Sequence, residues 1–327
     1  MVTPPSNDPP NQKLGSIFKH STKSMFSVAF LFLIGAFFSS QNESFLTTEN
    51  ITGILLSASI LLIVSCGAAF VILMGSIDLS VGATVSIAGM LSASLIPQLG
   101  FWALIVGPLC GLAIGLLNGG LFVTMRIPSI VTTLGVGTML SGLVFFISDG
   151  RSIPVSEPEI VAFTMHTPFP AIPLLTVYAL LIFLACILIQ GKTKIGRTIF
   201  AIGGDEKVVS LLGAKIAQAK LFSFAVSGFL AGLTGSLLTS RLGTAASQMG
   251  SFLTLDSITA VVLSGISILG GAGYIRSVVL GVLIIAILNN GMSILSVHPY
   301  LQTIVKGSVI VLAVLLTSIR PSAEDIK

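Results

Sequence analysis

Ten apolar runs, most of them close to the length that crosses a bilayer, decide what this chain can fold into. A helix rises about 1.5 Å per residue, so about 20 apolar residues span the hydrocarbon core. The runs lie at 25–38, 51–74, 79–97, 99–124, 128–147, 171–190, 219–240, 257–272, 277–296 and 301–318. Between them no stretch is long enough to fold as a soluble domain. Of 327 residues 54% are hydrophobic and only 9% charged, where soluble domains carry about 25%. The expected fold class is an all-α integral membrane protein of about ten transmembrane helices. The run at 25–38 follows a polar tail, 1–23, with Lys13, Lys19, His20 and Lys23. No small-x-small cleavage site follows, so it reads as a retained span. The Pro-rich start of the tail reads as disordered. The run at 257–272 is short and Gly-rich, and reads as broken or re-entrant.

An even number of spans puts both termini on one side, and the bias of Lys and Arg chooses the side. With the N-terminus inside, thirteen basic residues face the cytoplasm: those of the two tails, Arg126, the six between 191 and 220, and Arg276. Only Arg151 and Arg241 face outward, and Lys306 lies within a span near its outer end, where snorkelling is the default account. The net charge of +4 is thus a topology signal and gives no reason to expect nucleic acid. The 34 glycines fit helices that approach closely in lipid. Gly111–Gly115, Gly115–Gly119 and Gly228–Gly232 have the spacing for such crossings. Cys66, Cys110 and Cys186 all lie in apolar runs and read as packing residues, without disulfide or metal spacing.

An internal repeat is visible. Asn118-Gly119-Gly120 is followed by Pro128 and Thr132, and Asn289-Asn290-Gly291 by Pro299 and Thr303, at equal spacings. An acid stands upstream of each, Asp78 and Asp256. The halves, about 51–147 and 219–318, begin five spans apart, so they insert with opposite orientation. Inverted repeats mark transporters, with the substrate path at their interface.

Between the halves, 191–220 holds eight of the 28 charges: Lys192, Lys194, Arg197, Asp205, Glu206, Lys207, Lys215 and Lys220. Within it 205–214 reads as a short helix. Val208, Leu211 and Leu212 share one face, Asp205 and Glu206 suit the positive end of the dipole, and Gly203 and Gly204 break the chain before it. Such a helix on a basic loop is either a docking knob or a solvated connector.

The chemistry of an enzyme is missing. Gly191-Lys192-Thr193 resembles the end of a phosphate loop, but Cys186 stands where the motif needs Gly, and a span precedes it instead of a strand. His20, His166 and His298 are scattered, and no nucleophile–base set stands out. A transporter of this kind runs on an ion gradient or on a separate ATPase. Polar groups in apolar spans are functional candidates by default. Asn118, Thr132, Thr133, Asn289 and Asn290 are candidates for the translocation path, the asparagines serving either a polyol or neighbouring helices as glue. Asp78 and Asp256 read as structural caps at helix starts, with proton carriage as the alternative.

Taken together, Gly75-Ser76-Ile77-Asp78-Leu79-Ser80-Val81-Gly82, Asn118-Gly119 with Pro128 and Thr132-Thr133-Leu134-Gly135, Gly196-Arg197 with Ala201-Ile202-Gly203-Gly204, Leu255-Asp256-Ser257-Ile258-Thr259-Ala260, Gly270-Gly271-Ala272-Gly273, and Asn290-Gly291 with Lys306-Gly307 resemble, in this order, the ribose-type sugar permeases of bacterial ABC importers. The resemblance covers nearly the whole chain from about residue 45. It implies the fold of the vitamin B12-type importers. It also implies a permease domain, 24–320, between cytoplasmic tails 1–23 and 321–327, in the bacterial inner membrane. The implied partners are an ATPase subunit with two nucleotide-binding modules, an extracytoplasmic sugar-binding protein, a second permease subunit and membrane lipid. The chain itself would bind no cofactor, ATP and Mg being used by the ATPase. Gly203, Gly204, Asp205, Glu206, Val208, Leu211, Leu212 and Gly213 would correspond to the family's coupling helix. Asp205 stands where Asn is usual, Val208-Val209 replaces an Ala pair, Ser264-Gly265 replaces a Gly pair, and Arg276 and Val278 sit where small residues are common. A nucleoside or branched-chain amino acid permease, a proton-coupled transporter and a membrane scaffold are the rival readings. One Trp and three Tyr beside 20 Phe weaken the nucleoside reading.

Overall fold

The computed structural model describes residues 27–169 and 171–318. Its helices are α1 (Ser27–Gln41), α2 (Thr48–Leu73), α3 (Val81–Leu99), α4 (Ala103–Thr124), α5 (Ser129–Ser148), α6 (Pro158–Met165), α7 (Leu174–Lys192), α8 (Lys194–Leu211), α9 (Ile216–Leu242), α10 (Ser251–Leu263), α11 (Val278–Ile294) and α12 (Pro299–Ser318). Among the described residues six stretches are long and apolar enough to cross a membrane. One of these, Val81–Thr124, contains both α3 and α4, joined by a tight turn at Gly100–Trp102. The apolar helices α1 and α10 are shorter. The tails 1–23 and 321–327 lie outside the described residues.

Helix α2 is largely apolar all round after its first turn, and protein surrounds it: 89% of its most apolar part is buried, against 22% for α7. A helix without a polar face is stable only inside such a shell or in lipid. Around α2 stand α7, α9, α10 and α11. Cys66 and Cys186 are buried in this core, and all three thiols are free.

The tightest seam joins α4 to α9. A methyl group at Gly111 would land on the carbonyl oxygen of Gly228, and one at Gly228 on that of Gly111. Gly232 meets the Gly107 carbonyl in the same way, and Gly115 that of Phe224. The spacing of these glycines lets two backbones touch, which is how helices gain packing in lipid.

The two repeat signatures fold alike locally. Pro128 precedes α5 and Pro299 opens α12. Thr132 and Thr303, four residues on, each donate a hydroxyl to that proline's carbonyl oxygen, at 3.3 and 3.1 Å.

Several boundaries differ from the sequence reading. The apolar run 257–272 is not one span: α10 starts earlier, at Ser251, and ends at Leu263. Beyond it Gly265, Gly270, Gly271 and Gly273 have positive φ, a conformation that glycine alone adopts freely, and they turn the chain back. The basic stretch 191–220 is not a loop, because Thr193 ends α7 and caps α8 with its own hydroxyl, 3.0 Å from the Gly196 amide. The segment 148–170 contains α6 and a strand, β1 (Ile153–Pro154), paired antiparallel with β2 (Thr244–Ala245).

Candidate functional site

Three sites carry the polar residues singled out by sequence. The first is the end of α8. At Asp205 the backbone leaves the helix (φ −158°, ψ 103°), and the Asp205 carboxylate accepts the amides of Lys207 and Val208 at 2.8 and 3.2 Å. Asp205 therefore caps a new helical turn, as acids and amides at helix starts do. That turn ends at Leu211 rather than Ala214, and Gly213, at φ +71°, reverses the chain. Val209 is buried, while Val208, Leu211 and Leu212 are 51%, 88% and 80% exposed. Glu206 bonds Lys220 on α9 at 2.7 Å, and the Lys220 ammonium lies over the Phe122 ring, 4.7 Å from its centre. The result is an apolar knob seated on the bundle. The helix does break before this turn, but at Asp205 and not at Gly203 and Gly204, which keep helical backbone. Gly203 is helical, and a methyl there would strike the Leu73 carbonyl and the Gly271 amide. The Gly271 amide donates to Leu73 at 3.0 Å. The glycines thus seat α8 against the turn after α10.

The second site is the turn between α2 and α3. Asp78 is buried, and both carboxylate oxygens are engaged: Oδ1 by the Ser80 amide (3.0 Å) and hydroxyl (2.6 Å), Oδ2 by the Ser227 hydroxyl of α9 (2.9 Å). Asn118 of α4 donates to Ser80 Oγ at 2.8 Å. Thr133 of α5 accepts the Leu79 amide at 3.0 Å. The cluster joins α3, α4, α5 and α9. Asp78 stands two residues before Ser80, which flanks α3, so it ties a turn to other helices and is not a cap of α3 itself. Asn118, Thr132 and Thr133 are buried and each makes a hydrogen bond within the protein, while Asn118 Oδ1 finds no partner among the described residues.

The third site corrects two expectations. Asp256 is inside α10, five residues past its start, so it caps nothing. Its Oδ2 accepts Lys306 Nζ of α12 and Asn289 Nδ2 of α11, each at 3.2 Å. Lys306 does not snorkel. A bare ammonium in lipid is costly, and the carboxylate offers a partner. The ammonium also lies 5.5 Å from the centre of the Phe252 ring. Asn290 stands apart from this cluster, exchanging two hydrogen bonds with Asn50 of α2 (2.7 and 3.1 Å).

Sequence reasoning missed Ser80, Ser227, Asn50 and the role of Lys306. A lone lysine in an apolar run was visible, but nothing local pointed to an acid 50 residues away. Among the described residues no group of three or more His, Cys, Asp or Glu could hold a metal.

A family profile described as "Branched-chain amino acid transport system / permease component" matches residues 50–314, which contain all three sites. The chain belongs to this family. The permease is 38% identical to the ribose import permease protein of Bacillus subtilis (strain 168) over 293 residues, 88% of this chain and 90% of that one. It is 36% identical to the ribose import permease protein of Haemophilus influenzae, over 79% of this chain and 81% of that one. It is 35% identical to the D-allose transport system permease protein of Escherichia coli (strain K12), over 77% and 78%. These relatives agree with the motif resemblance to sugar permeases. No solved structure matches the chain. The permease is a multi-pass membrane protein and a transport subunit by family.

Proposed function

We propose that this permease is the membrane subunit of an ATP-driven importer for a monosaccharide, a ribose-like pentose or a hexose. The observation that carries the reading is the α8 knob. Three exposed apolar side chains lie on or beside a turn capped by Asp205 and tethered by Lys220. Exposed leucines held this firmly suit a partner's cleft. In an importer that partner is a cytoplasmic ATPase with two nucleotide-binding modules, which uses ATP and Mg while this chain binds neither. The chain would cross the inner membrane ten times in the vitamin B12-type fold, with inverted halves at about 51–147 and 219–318 and both termini in the cytoplasm. Thirteen basic residues against two support that topology. A second permease copy or sister chain completes the path, and an extracytoplasmic binding protein delivers the sugar.

The family's description names branched-chain amino acids, whereas the relatives at 35–38% identity are named for ribose and allose. Their coverage of the chain favours a sugar. Replacing Leu211 by Asp tests the coupling reading, because it charges the most exposed knob residue without touching the core. The expected result is loss of ATPase co-purification with the permease still in the membrane. Unchanged co-purification and uptake would contradict docking at this knob.

A further inference from the structure

The Asp256–Lys306 pair is an unusual possession for three apolar helices. Its side chains are 11% and 18% exposed, so it is neither sealed in the bundle nor free in solvent. A charged pair turned toward lipid is costly. A buried pair that only held helices together would gain most from saturating its hydrogen bonds, as Asp78 does. This one is left unsaturated. Among the described residues Oδ1 of Asp256 accepts nothing, and the Lys306 ammonium gives one of its donors to Asp256 and finds no other acceptor. Asn289 Oδ1 has no partner either, as is also true of Asn118 Oδ1 beside Asp78, so the difference between the sites lies in the carboxylates themselves. Beside them on α10, Phe252 and Leu255 are 62% and 55% exposed.

We infer that Asp256, Lys306 and Phe252 form a contact point for a polyhydroxylated solute on the translocation path. A carboxylate oxygen accepts a hydrogen bond from a sugar hydroxyl, the ammonium donates one to a hydroxyl oxygen, and an aromatic ring covers the apolar face of a sugar ring. Ligand sites combine a few polar groups with apolar walls in this way. Asn289 holds the carboxylate in place and is a positioning residue. The pair belongs to the outer half of the bundle under the topology proposed above, since α10 starts there and Lys306 lies seven residues into α12. The inference rests on the importer reading and deepens it.

The test uses the whole importer in proteoliposomes, with ATP inside or outside as orientation requires, and radiolabelled D-ribose, D-allose and L-arabinose as probes. Wild type is scored first. Absence of ATP-driven uptake of all three would overturn the monosaccharide-importer reading, independently of any variant. With wild type active, Asp256→Asn and Lys306→Met should keep assembly and binding-protein-stimulated ATPase within about twofold while uptake falls about tenfold or more, the scale of losing a hydrogen bond to a charged group. The double swap Asp256→Lys with Lys306→Asp should restore assembly where a single change weakened it, without restoring uptake. A swap that restores uptake would reduce the pair to a structural tie and overturn the proposal, and so would single variants that carry sugar at the wild-type rate. Phe252→Ala keeps the proposal falsifiable if the charge variants fail to fold. Its ring is exposed, so assembly should hold while uptake drops, and unchanged uptake would contradict the site.

Discussion

Among the described residues two carboxylates, Asp78 and Asp256, are buried, and the permease treats them in opposite ways. Asp78 sits where four helices meet, and hydroxyls and an amide occupy both of its oxygens. Asp256 sits among three helices, faces a lysine and an asparagine through a single oxygen, and keeps the other open. A carboxylate with both oxygens engaged fixes a geometry, because any departure strands a buried polar group. An unsaturated pair has capacity left for something that comes and goes. On the proposal above, the Asp78 cluster, which α9 also helps to build, does scaffold work and the Asp256 pair does solute work, though the sequence offers the same signature, Asn followed by Pro and Thr, near both.

The comparison breaks most severely at the seam that supports the Asp78 cluster. Gly228→Val would drive a side chain into the Gly111 carbonyl, one residue from Ser227. Overpacking of side chains already costs about 1–3 kcal/mol, and here the obstacle is backbone. The folded permease should fail to accumulate in membranes, as blotting and size-exclusion chromatography would report. Asp78→Ala should come next. It leaves the Ser80 and Ser227 donors without their acceptor and should destabilise by about 3 kcal/mol, at 1–3 kcal/mol for each buried group left unpaired. A lowered unfolding temperature in detergent would register it. Asp256→Asn should lower that temperature less than Asp78→Ala does, since the amide oxygen still accepts from Lys306. The reverse order would remove the contrast between the clusters. The smallest effect belongs to the Asn50–Asn290 exchange, where a double-mutant cycle should give a coupling of about 0.6–1 kcal/mol, typical of hydrogen bonds between membrane helices.

Local chemistry was legible in the sequence wherever its cause was local. The apolar runs marked the apolar helices, six stretches of them long enough to cross a membrane among the described residues, because hydropathy over twenty residues needs no partner. Asp205 announced a helix start through its own side chain, and the glycines of α4 and α9 announced close crossings by spacing. What stayed hidden depended on neighbours distant in the chain. Gly203 looked like a breaker, but it is helical and small because the turn at Gly270–Gly271 presses on it. Asp256 looked like a cap because a polar residue followed it, while its partners lie 33 and 50 residues away. The path candidates Asn118 and Thr133 turned out to be bonded inside the bundle, since a polar residue in an apolar run has the same signature whether it meets a solute or another helix. Lys306 carried the needed signal, a charge that apolar surroundings do not explain, yet its direction was set by tertiary packing.

Purification of the intact permease from its native membrane, with its partners identified by mass spectrometry and uptake then measured in liposomes, tests the central claim most directly. The account predicts an ATPase with two nucleotide-binding modules in the complex and sugar uptake that needs ATP and a binding protein. A permease that purifies alone and carries sugar on a proton gradient would contradict it.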